Sequence, residues 1–389
     1  MTDWQITLHE NITEIGPQDW GRCAGADNPL SSYDFLHALE VSQSASAETG
    51  WLPRHLSLKD KSGIIQAVMP LYVKSHSYGE YVFDHSWANA WHRAGGSYYP
   101  KAQVAIPFSP VPGRRLLIDP SLDPALQDAA FTALSEGAIK ACDAMELSSL
   151  HITFLTGDET EKLTASDPRW IARQGLQFHW QNEGFSNFDD FLALMSSRKR
   201  KTIRRERRDA QNGLTYHRLT GDDIKPHHWD NFYRFYLATV DKKWGSSYLT
   251  RDFFTAISRT MSDRILLVMA EDEDGRMIAG ALNFIGADTL YGRNWGCTEE
   301  RPFLHFETCY YQAIDFAIER GLKTVEAGAQ GLHKVQRGYA PALTYSAHYI
   351  PHPDFARAIA EFTSKESKQI SREAEELRGW SPYRKEMQS

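Results

Sequence analysis

Residues 323–341, KTVEAGAQGLHKVQRGYAP, join a short strand pattern to a glycine-rich loop that carries many reactive side chains. Residues 322–326 are β-branched in the middle and bounded by glycines, which predicts a strand. Gly328, Gly331 and Gly338 allow the backbone to turn sharply or to approach a ligand closely. We therefore predict that a strand delivers this loop to the wall of an active site.

The side chains between these glycines supply the groups that a proton-transfer reaction needs. Glu326 and His333 are the candidate bases, and Tyr339 could protonate a leaving group. Lys334 and Arg337 could hold a phosphate or a carboxylate. Further candidate substrate contacts are Gln330 in the same loop and, in a strand predicted at 289–295, Arg293 and Trp295. The alternative is a solvated turn with ordinary polar side chains.

Length and composition set the class of protein. The chain has 389 residues, which is enough for two domains, and its 42% apolar and 24% charged residues are typical of a globular protein. Eleven Trp, 17 Tyr and 19 Phe suit large cores or a cleft for a sizeable ligand. The formal net charge of −7 argues against bulk nucleic-acid binding, although a local basic patch remains open.

The sequence also bears on location and metal content. We see no signal-peptide pattern and no apolar run of the length that a membrane span needs. The cysteines are scattered without a CxxC pair, which favours free thiols in a reducing compartment: Cys23, Cys142, Cys297 and Cys309. We therefore expect a cytoplasmic protein without a bound metal.

The first half has its own cluster of reactive residues, within residues 74–117. The candidate substrate-binding residues there are Lys74, His76, Glu80, Tyr98 and Lys101. Three interpretations stay open: a substrate-binding wall, polar groups buried among aromatic rings, or a metal site. The metal site would add Asp84, His85 and His92, but their spacing matches no familiar metal pattern.

The basic run SRKRKTIRRERR contains eight Lys or Arg residues against one Glu between Arg198 and Arg208. It follows a helix start at Ser186–Asp189, so we predict that the run is helical. Such runs are usually solvated helix faces. The functional alternative is a clamp for phosphates or another polyanion.

Both halves show the same order of elements, which predicts two copies of one α/β unit with mixed sheets. Each has helices, a strand meander, a strand broken by proline or glycine, a helix and a closing strand; in the first half these include a strand at 104–108 and a helix from Asp123-Pro124 to Cys142. The pattern restarts near Phe185, so we place the domains at 1–184 and 185–389. A C-terminal helix at 355–377 should dock on a domain.

Several long strings resemble the FemAB-like group of N-acyltransferases in the GNAT (Gcn5-related N-acetyltransferase) superfamily. The strings are KSHSYGEYVFD (74–84), YYPK (98–101), PFSPVPG (107–113), KKWG (242–245), HFETCYYQ (305–312) and EAGAQGLHKVQRGY (326–339). The resemblance implies tandem GNAT-like acyl-CoA N-acyltransferase domains with a cleft between them, a bacterial-type protein and a link to peptidoglycan. By analogy with the Fem aminoacyltransferases, it also implies an aminoacyl-tRNA donor and a cell-wall precursor as acceptor.

Two departures from the related sequences qualify this resemblance. Leu332 stands where the family often has a glutamate, so a catalytic base at that position would be missing here. The usual acetyl-CoA loop, Q/R-x-x-G-x-G/A before a helix, is not evident; the nearest substitute for a pyrophosphate cradle is Gly113-Arg114-Arg115.

The expected function is transfer of an acyl or aminoacyl group from an activated donor to an amine of a small-molecule or peptide-like acceptor. The donor is acyl-CoA or aminoacyl-tRNA, and tRNA would contact the basic run. The alternative is a non-catalytic glycan- or peptide-binding protein on the same fold.

Overall fold

A computed structural model describes residues 4–243, 247–328 and 331–384. The chain forms two compact units. The first contains Leu30–Leu176, Leu343–Arg372 and residues up to Ala26; the second contains Gln177–Ala342, Asp27–Pro29 and residues from Glu373 onward. The predicted domain division at 184/185 stays a prediction, and the compact units differ from it chiefly because residues 343–372 group with the first unit.

Helices and strands alternate along the whole chain. Up to Gln181 they are β1 (Gln5–His9), α1 (Pro17–Ala24), α2 (Tyr33–Val41), β2 (Trp51–Pro53), β3 (His55–Lys59), β4 (Ile65–Met69), β5 (Leu71–Lys74), α3 (His85–Arg93), β6 (Lys101–Val104), β7 (Leu117–Ile118), α4 (Pro124–Ala144), β8 (Leu150–Leu155), α5 (Gly157–Ser166) and β9 (Ile171–Gln181). The later ones are α6 (Phe188–Ala193), α7 (Ser197–Gln211), β10 (Leu214–Thr220), α8 (Pro226–Lys243), α9 (Arg251–Thr260), β11 (Ile265–Asp272), β12 (Met277–Ile285), β13 (Thr289–Cys297), α10 (Leu304–Phe306), a π-helical turn (Glu307–Tyr311), α11 (Gln312–Glu319), β14 (Thr324–Glu326), a 3₁₀ helix (Leu332–Arg337), β15 (Ala340–Tyr349) and α12 (Pro353–Arg378).

The first unit has two groups of paired strands. One is antiparallel throughout, in the order β1-β3-β4-β7. The other has the order β15-β8-β6-β5-β2, in which β6 and β8 are parallel and the other pairs are antiparallel. The connection between the parallel strands includes α4, as a parallel pair requires a long crossover.

The core of the first unit lies between α4 and the sheets. Strand β8 is buried along its whole length, including its polar residues His151 and Thr153. Leu150 and Ile152 of β8 pack in one cluster with Phe131 and Leu134 of α4. Burial of each such side chain stabilises the fold by roughly 1.5–3 kcal/mol.

The second unit is built on one mixed sheet with strand order β10-β11-β12-β13-β14-β9. Strands β13 and β14 are parallel and the other neighbours are antiparallel. The rings of Trp229 and Phe232 on α8 lie 6.0 and 5.7 Å from the ring of Phe254 on α9. Strands β13 and β14 run in the same direction, and their paired segments end at the same level of the sheet. The loop that follows Glu326 leaves the sheet at that level.

The mixed α/β architecture with a long C-terminal helix is the predicted fold class. One predicted strand is wrong in position: residues 104–108 do not form it, and β6 ends at Val104. Phe108 has a φ of 58° between Pro107 and Pro110, so the chain turns there instead of extending. Helix α3 is not predicted from the sequence, in which its residues form part of the reactive cluster at 74–117.

Candidate active site

Glu326 ends β14 in a mostly buried position. Its partner across the strand pair is His179 of β9, and His179 Nε2 lies 4.0 Å from Glu326 Oε1. Burial, with the nearby charge of Lys334, lowers the pKa of His179 to about 4, so this imidazole is neutral at neutral pH. Gly292 of β13 passes close by, since a Cβ there would lie 3.0 Å from the Glu326 carbonyl oxygen.

His333 projects from the 3₁₀ helix and is exposed to solvent. Its Nε2 lies 2.9 Å from the hydroxyl of Tyr310. Burial of part of the ring and the charges of Arg337 and Lys334 lower the pKa of His333, so the neutral, proton-accepting form dominates at neutral pH. Gly331 makes this geometry feasible: its φ is 116°, and a Cβ there would lie 2.5 Å from His333 Cε1.

Lys334 is fully buried beside this imidazole. Its Nζ donates to the carbonyl oxygen of Gly328 at 2.8 Å. Burial lowers the pKa of Lys334 to about 8, which brings a lysine close to titration at neutral pH. In this conformation Lys334 holds the loop together, and it reaches a ligand only if the loop rearranges.

Arg337 is fixed by a buried ion pair with Glu206 of α7. Arg337 Nη2 donates to both carboxylate oxygens at 3.0 Å, and its guanidinium lies 3.3 Å from the centroid of the Phe306 ring. The hydroxyl of Tyr311 donates to the same carboxylate. The predicted anion-holding residue therefore ties the 3₁₀ helix to α7.

Glu206 was missed by the sequence reading, although a signal was present. It is the one acidic residue of the basic run and lies at helical spacing from Ile203 and Ala210, which are buried with it. The sequence analysis interprets the run by its cations alone and predicts no helix face for its single acidic residue.

Tyr339 is fully buried, and among the described residues its hydroxyl has no hydrogen-bond partner. Burial raises its pKa well above the ordinary value, so the hydroxyl stays protonated. Its ring lies 5.6 Å from that of Tyr310, which in turn bonds to His333. Tyr339 therefore belongs to the same cluster as the imidazole, as a proton donor without an observed acceptor.

The π-helical turn Glu307–Tyr311 supplies the aromatic wall around His333. The ring of His305 lies 4.4 Å from Trp295 and 5.2 Å from Tyr310. The structure thus brings the predicted Trp295 to the His333 cluster and adds His305 and Tyr310, which belong to the string HFETCYYQ. Arg293 is half-buried on β13, and Gln330 lies outside the described residues.

Helix α7 carries the basic run as predicted. Arg207 forms ion pairs with Glu307 (3.0 Å) and Asp315 (2.6 Å), so it has a structural role. Most of the other cations are exposed or half-exposed, in keeping with a solvated face that is also accessible to a polyanion.

In the first unit, Lys101 is fully buried and donates to Glu80 Oε2 (2.7 Å), Ser77 Oγ (2.9 Å) and the carboxylate of Asp84. The hydroxyl of Tyr98 donates to Asp84 at 2.8 Å. Burial raises the pKa of Glu80 to about 7. These contacts are those of the buried, hydrogen-bonded alternative, and a substrate-binding role for the same residues stays a prediction.

Lys74 is also fully buried, with its Nζ 3.6 Å from the centroid of the Trp51 ring and 3.2 Å from the carbonyl oxygen of Tyr78. Burial lowers the pKa of Lys74 to about 7. His76 is half-buried, and its ring lies 5.1 Å from that of the exposed Tyr78. Of the predicted first-half contacts, His76 is therefore the one with surface for a ligand.

The proposed pyrophosphate cradle is engaged with the protein itself. The guanidinium of Arg115 is fully buried and donates to the carbonyl oxygens of Thr153 (3.0 Å) and Gly113 (3.2 Å). Arg114 donates to the carbonyl oxygen of Ala24 at 2.9 Å. The structure therefore argues against Arg115 as a phosphate ligand, because its donors are used within the first unit.

The described part of the chain offers neither a cluster of metal ligands nor a helix that could span a membrane. No group of three His, Cys, Asp or Glu residues there has the geometry of a metal site. No described helix combines the length and apolar character needed to cross a membrane.

Comparison with solved structures confirms the fold class. The crystal structure of FemX matches with a TM-score of 0.55 at 14% identity, covering 92% of this chain and 100% of that chain. A conserved protein of unknown function from Bacteroides thetaiotaomicron VPI-5482 matches with a TM-score of 0.52 at 11% identity, covering 88% and 99%. A search of curated proteins finds no significant match.

A family model described as peptidoglycan biosynthesis/recognition matches residues 11–385, which is nearly the whole chain. The match confirms the resemblance drawn from the six strings and, with the fold, the prediction of an acyltransferase. The chain belongs to the FemAB-like family.

Proposed function

We propose that this acyltransferase carries out its reaction in the second unit, with His333 as the base. The observation that carries the proposal is the environment of His333. It is exposed, its pKa is lowered, and its Nε2 is bonded to Tyr310. Glu326 remains the second candidate base, but it is mostly buried.

The reaction follows from these groups. When Nε2–H of His333 donates to the Tyr310 hydroxyl, Nδ1 is free to take a proton from the ammonium of the acceptor. The resulting amine attacks the acyl carbonyl carbon of the donor. The tetrahedral intermediate loses the extra N–H proton to water, and its C–O or C–S bond to the leaving group breaks as the amide forms. Tyr339 stays the candidate proton donor to the leaving group, but its protonated hydroxyl is fully buried and reaches a substrate only if the loop rearranges.

We propose an acyl-CoA or an aminoacyl-tRNA as donor and a peptide-like amine of peptidoglycan metabolism as acceptor. The family description supports the acceptor class. The engagement of Arg114 and Arg115 within the first unit, together with the lack of the usual acetyl-CoA loop, favours aminoacyl-tRNA over acyl-CoA. We further propose that the protein is cytoplasmic and of bacterial type.

The test is transfer of labelled acyl and aminoacyl groups to cell-wall precursors by wild type, His333→Gln, Glu326→Gln and, as a control, the exposed His227→Gln. Loss of the base should lower the rate by about 10²–10⁴-fold. We expect His333→Gln to show that loss and to lose the rise of activity with pH through the imidazole pKa. Full turnover by His333→Gln would refute the role of His333 as base. Full turnover by Glu326→Gln would exclude Glu326 and leave His333 as the remaining candidate base.

A groove in the first unit supports the second candidate function, recognition of a glycan or peptide without turnover. The groove has a volume of about 810 Å³ and lies between α5 and α12. Hydroxyl-bearing side chains line it together with two aromatic and two basic ones: Thr160, Thr164, Thr363, Ser364, Ser367, Ser371, Trp170, Tyr345, Lys368 and Arg372. Melting temperatures measured with muropeptides and CoA thioesters separate the functions, because a ligand of the folded state raises the melting temperature even without turnover.

A further inference from the structure

Two exposed apolar side chains lie at one edge of the second unit. Trp380 is 59% exposed and Leu332 is 54% exposed. Gln336, on the same 3₁₀ helix as Leu332, donates to the carbonyl oxygen of Trp380 at 3.3 Å. The 3₁₀ helix that carries Leu332 therefore contacts the segment that carries Trp380, and His333 follows Leu332 directly in the chain.

The same edge adjoins the start of α7. The backbone N–H of Ser196 donates to the carbonyl oxygen of Pro382 at 3.0 Å, and Met195 pairs with Tyr383. Two residues span at most about 7 Å, so Trp380 lies within about 7 Å of Pro382, which is hydrogen-bonded to the start of α7.

Helix α7 presents an unpaired basic stripe next to this point. Arg198, Lys201 and Arg205 lie three and four residues apart, so they share one face of the helix. All three are exposed, and within the described ranges none has an ion-pair partner. With Ser197 and Thr202 they border a shallow depression of about 430 Å³. The opposite face of α7 carries the buried Ile203, Glu206 and Ala210.

We propose that this edge of the second unit docks on an anionic phospholipid surface. The docking edge consists of Trp380, Leu332, Arg198, Lys201 and Arg205. Indole rings favour the headgroup level of a bilayer, an exposed leucine enters the acyl boundary, and cations pair with lipid phosphates. A nucleic acid also pairs with the cations, but it offers no apolar medium for Leu332, which favours the lipid surface.

Docking would have a direct consequence for the reaction. Because Leu332 precedes His333, contact of this edge with a bilayer places the imidazole at the membrane–water interface. An acceptor anchored in the membrane would then meet the base without leaving the lipid. The docking itself does not rest on the proposed function, since it requires no turnover.

The test is sedimentation of the full chain with vesicles of pure phosphatidylcholine and of phosphatidylcholine mixed with phosphatidylglycerol, at low and high salt. We expect binding to the anionic vesicles only, and weaker binding at high salt. The variant Arg198→Glu/Lys201→Glu/Arg205→Glu should bind at least about 100-fold more weakly, and Trp380→Ala and Leu332→Ala each about 10-fold more weakly.

A matched control reverses the same number of charges elsewhere, as Lys61→Glu/Lys140→Glu/Lys365→Glu, all exposed residues of the first unit. This variant should retain most of the vesicle binding. Equal loss in both triple variants would overturn the proposal, because net charge alone would explain it. Equal binding to neutral and anionic vesicles would overturn it too, as would vesicle binding that Trp380→Ala and Leu332→Ala leave unchanged.

Discussion

The ion pair between Glu206 and Arg337 should control the stability of the second unit. We predict that Glu206→Ala destabilises the fold by about 3–5 kcal/mol, since removing one partner of a buried pair leaves the other charge uncompensated. Both side chains are about one-tenth exposed, and the contact consists of two 3.0 Å hydrogen bonds. Glu206→Gln keeps the shape but loses the charge, and should cost about 1.5–3 kcal/mol.

The assay is urea denaturation of the single variants and of Glu206→Ala/Arg337→Met, arranged as a double-mutant cycle. The double variant removes the stranded guanidinium, so it should recover much of the loss. Amide hydrogen exchange of α7 and of the 3₁₀ helix would locate the effect in the second unit.

The control is Asp189→Ala, which breaks an ion pair of the same chemistry between exposed residues. Asp189 lies 2.8 Å from Arg204, and both side chains are more than half exposed. It should change the free energy of unfolding by less than about 1 kcal/mol. If Glu206→Ala matches this control, or if the cycle gives a coupling below about 0.5 kcal/mol, the buried pair does not stabilise the loop.

Three further predictions concern buried titratable side chains, and one concerns a glycine. Burial lowers the pKa of Lys74 from 10.5 to about 7, so the folded chain binds fewer protons than the unfolded chain in that window, and the free energy of unfolding should rise with pH there relative to Lys74→Met. Urea denaturation of both proteins at the two ends of this pH window checks the prediction. An equal change in the free energy of unfolding with pH for the two proteins would contradict it. His151 Nδ1 lies 2.7 Å from His348 Nδ1, and burial lowers the pKa of His151 to about 3 and that of His348 well below its ordinary value. Stability should therefore fall as pH drops below about 6.5, because the unfolded state takes up the protons, and His348→Leu should show a shallower fall; identical slopes would argue against the pair. For the same reason, the free energy of unfolding of His151→Leu should fall less steeply with decreasing pH than that of the wild type. Gly331→Ala should displace His333 and lower turnover while circular dichroism stays unchanged, and a fully active variant would show that the ring has another position.

The sequence predicted the family, the fold class and the enzyme class, and each is confirmed. It also predicted the strand at Thr324–Glu326 and the helix that begins with Pro124. These succeed because β-branched runs, glycine boundaries and proline at the first turn act through local backbone preferences. The roles of Glu326, His333 and Tyr339 stay predictions.

The sequence could not show which polar residues are buried. Lys101 and His76 belong to one cluster of reactive residues in the sequence, yet the former is fully buried against Glu80 and Asp84 and the latter has a solvent-facing surface. Burial depends on neighbours that are distant along the chain, so composition and spacing do not determine it. For the same reason, the sequence could not show that the guanidinium of Arg115, predicted to cradle a phosphate, donates to backbone carbonyl oxygens.

By itself, the sequence determined that a strand leads into a glycine-rich loop with a carboxylate, an imidazole and a phenol. Only the tertiary structure decided that His333 is exposed beside Tyr310, and that Arg337 pairs with Glu206 of α7. Local preferences shape the backbone over a few residues, whereas the protonation and partners of a side chain depend on which distant groups the fold packs against it.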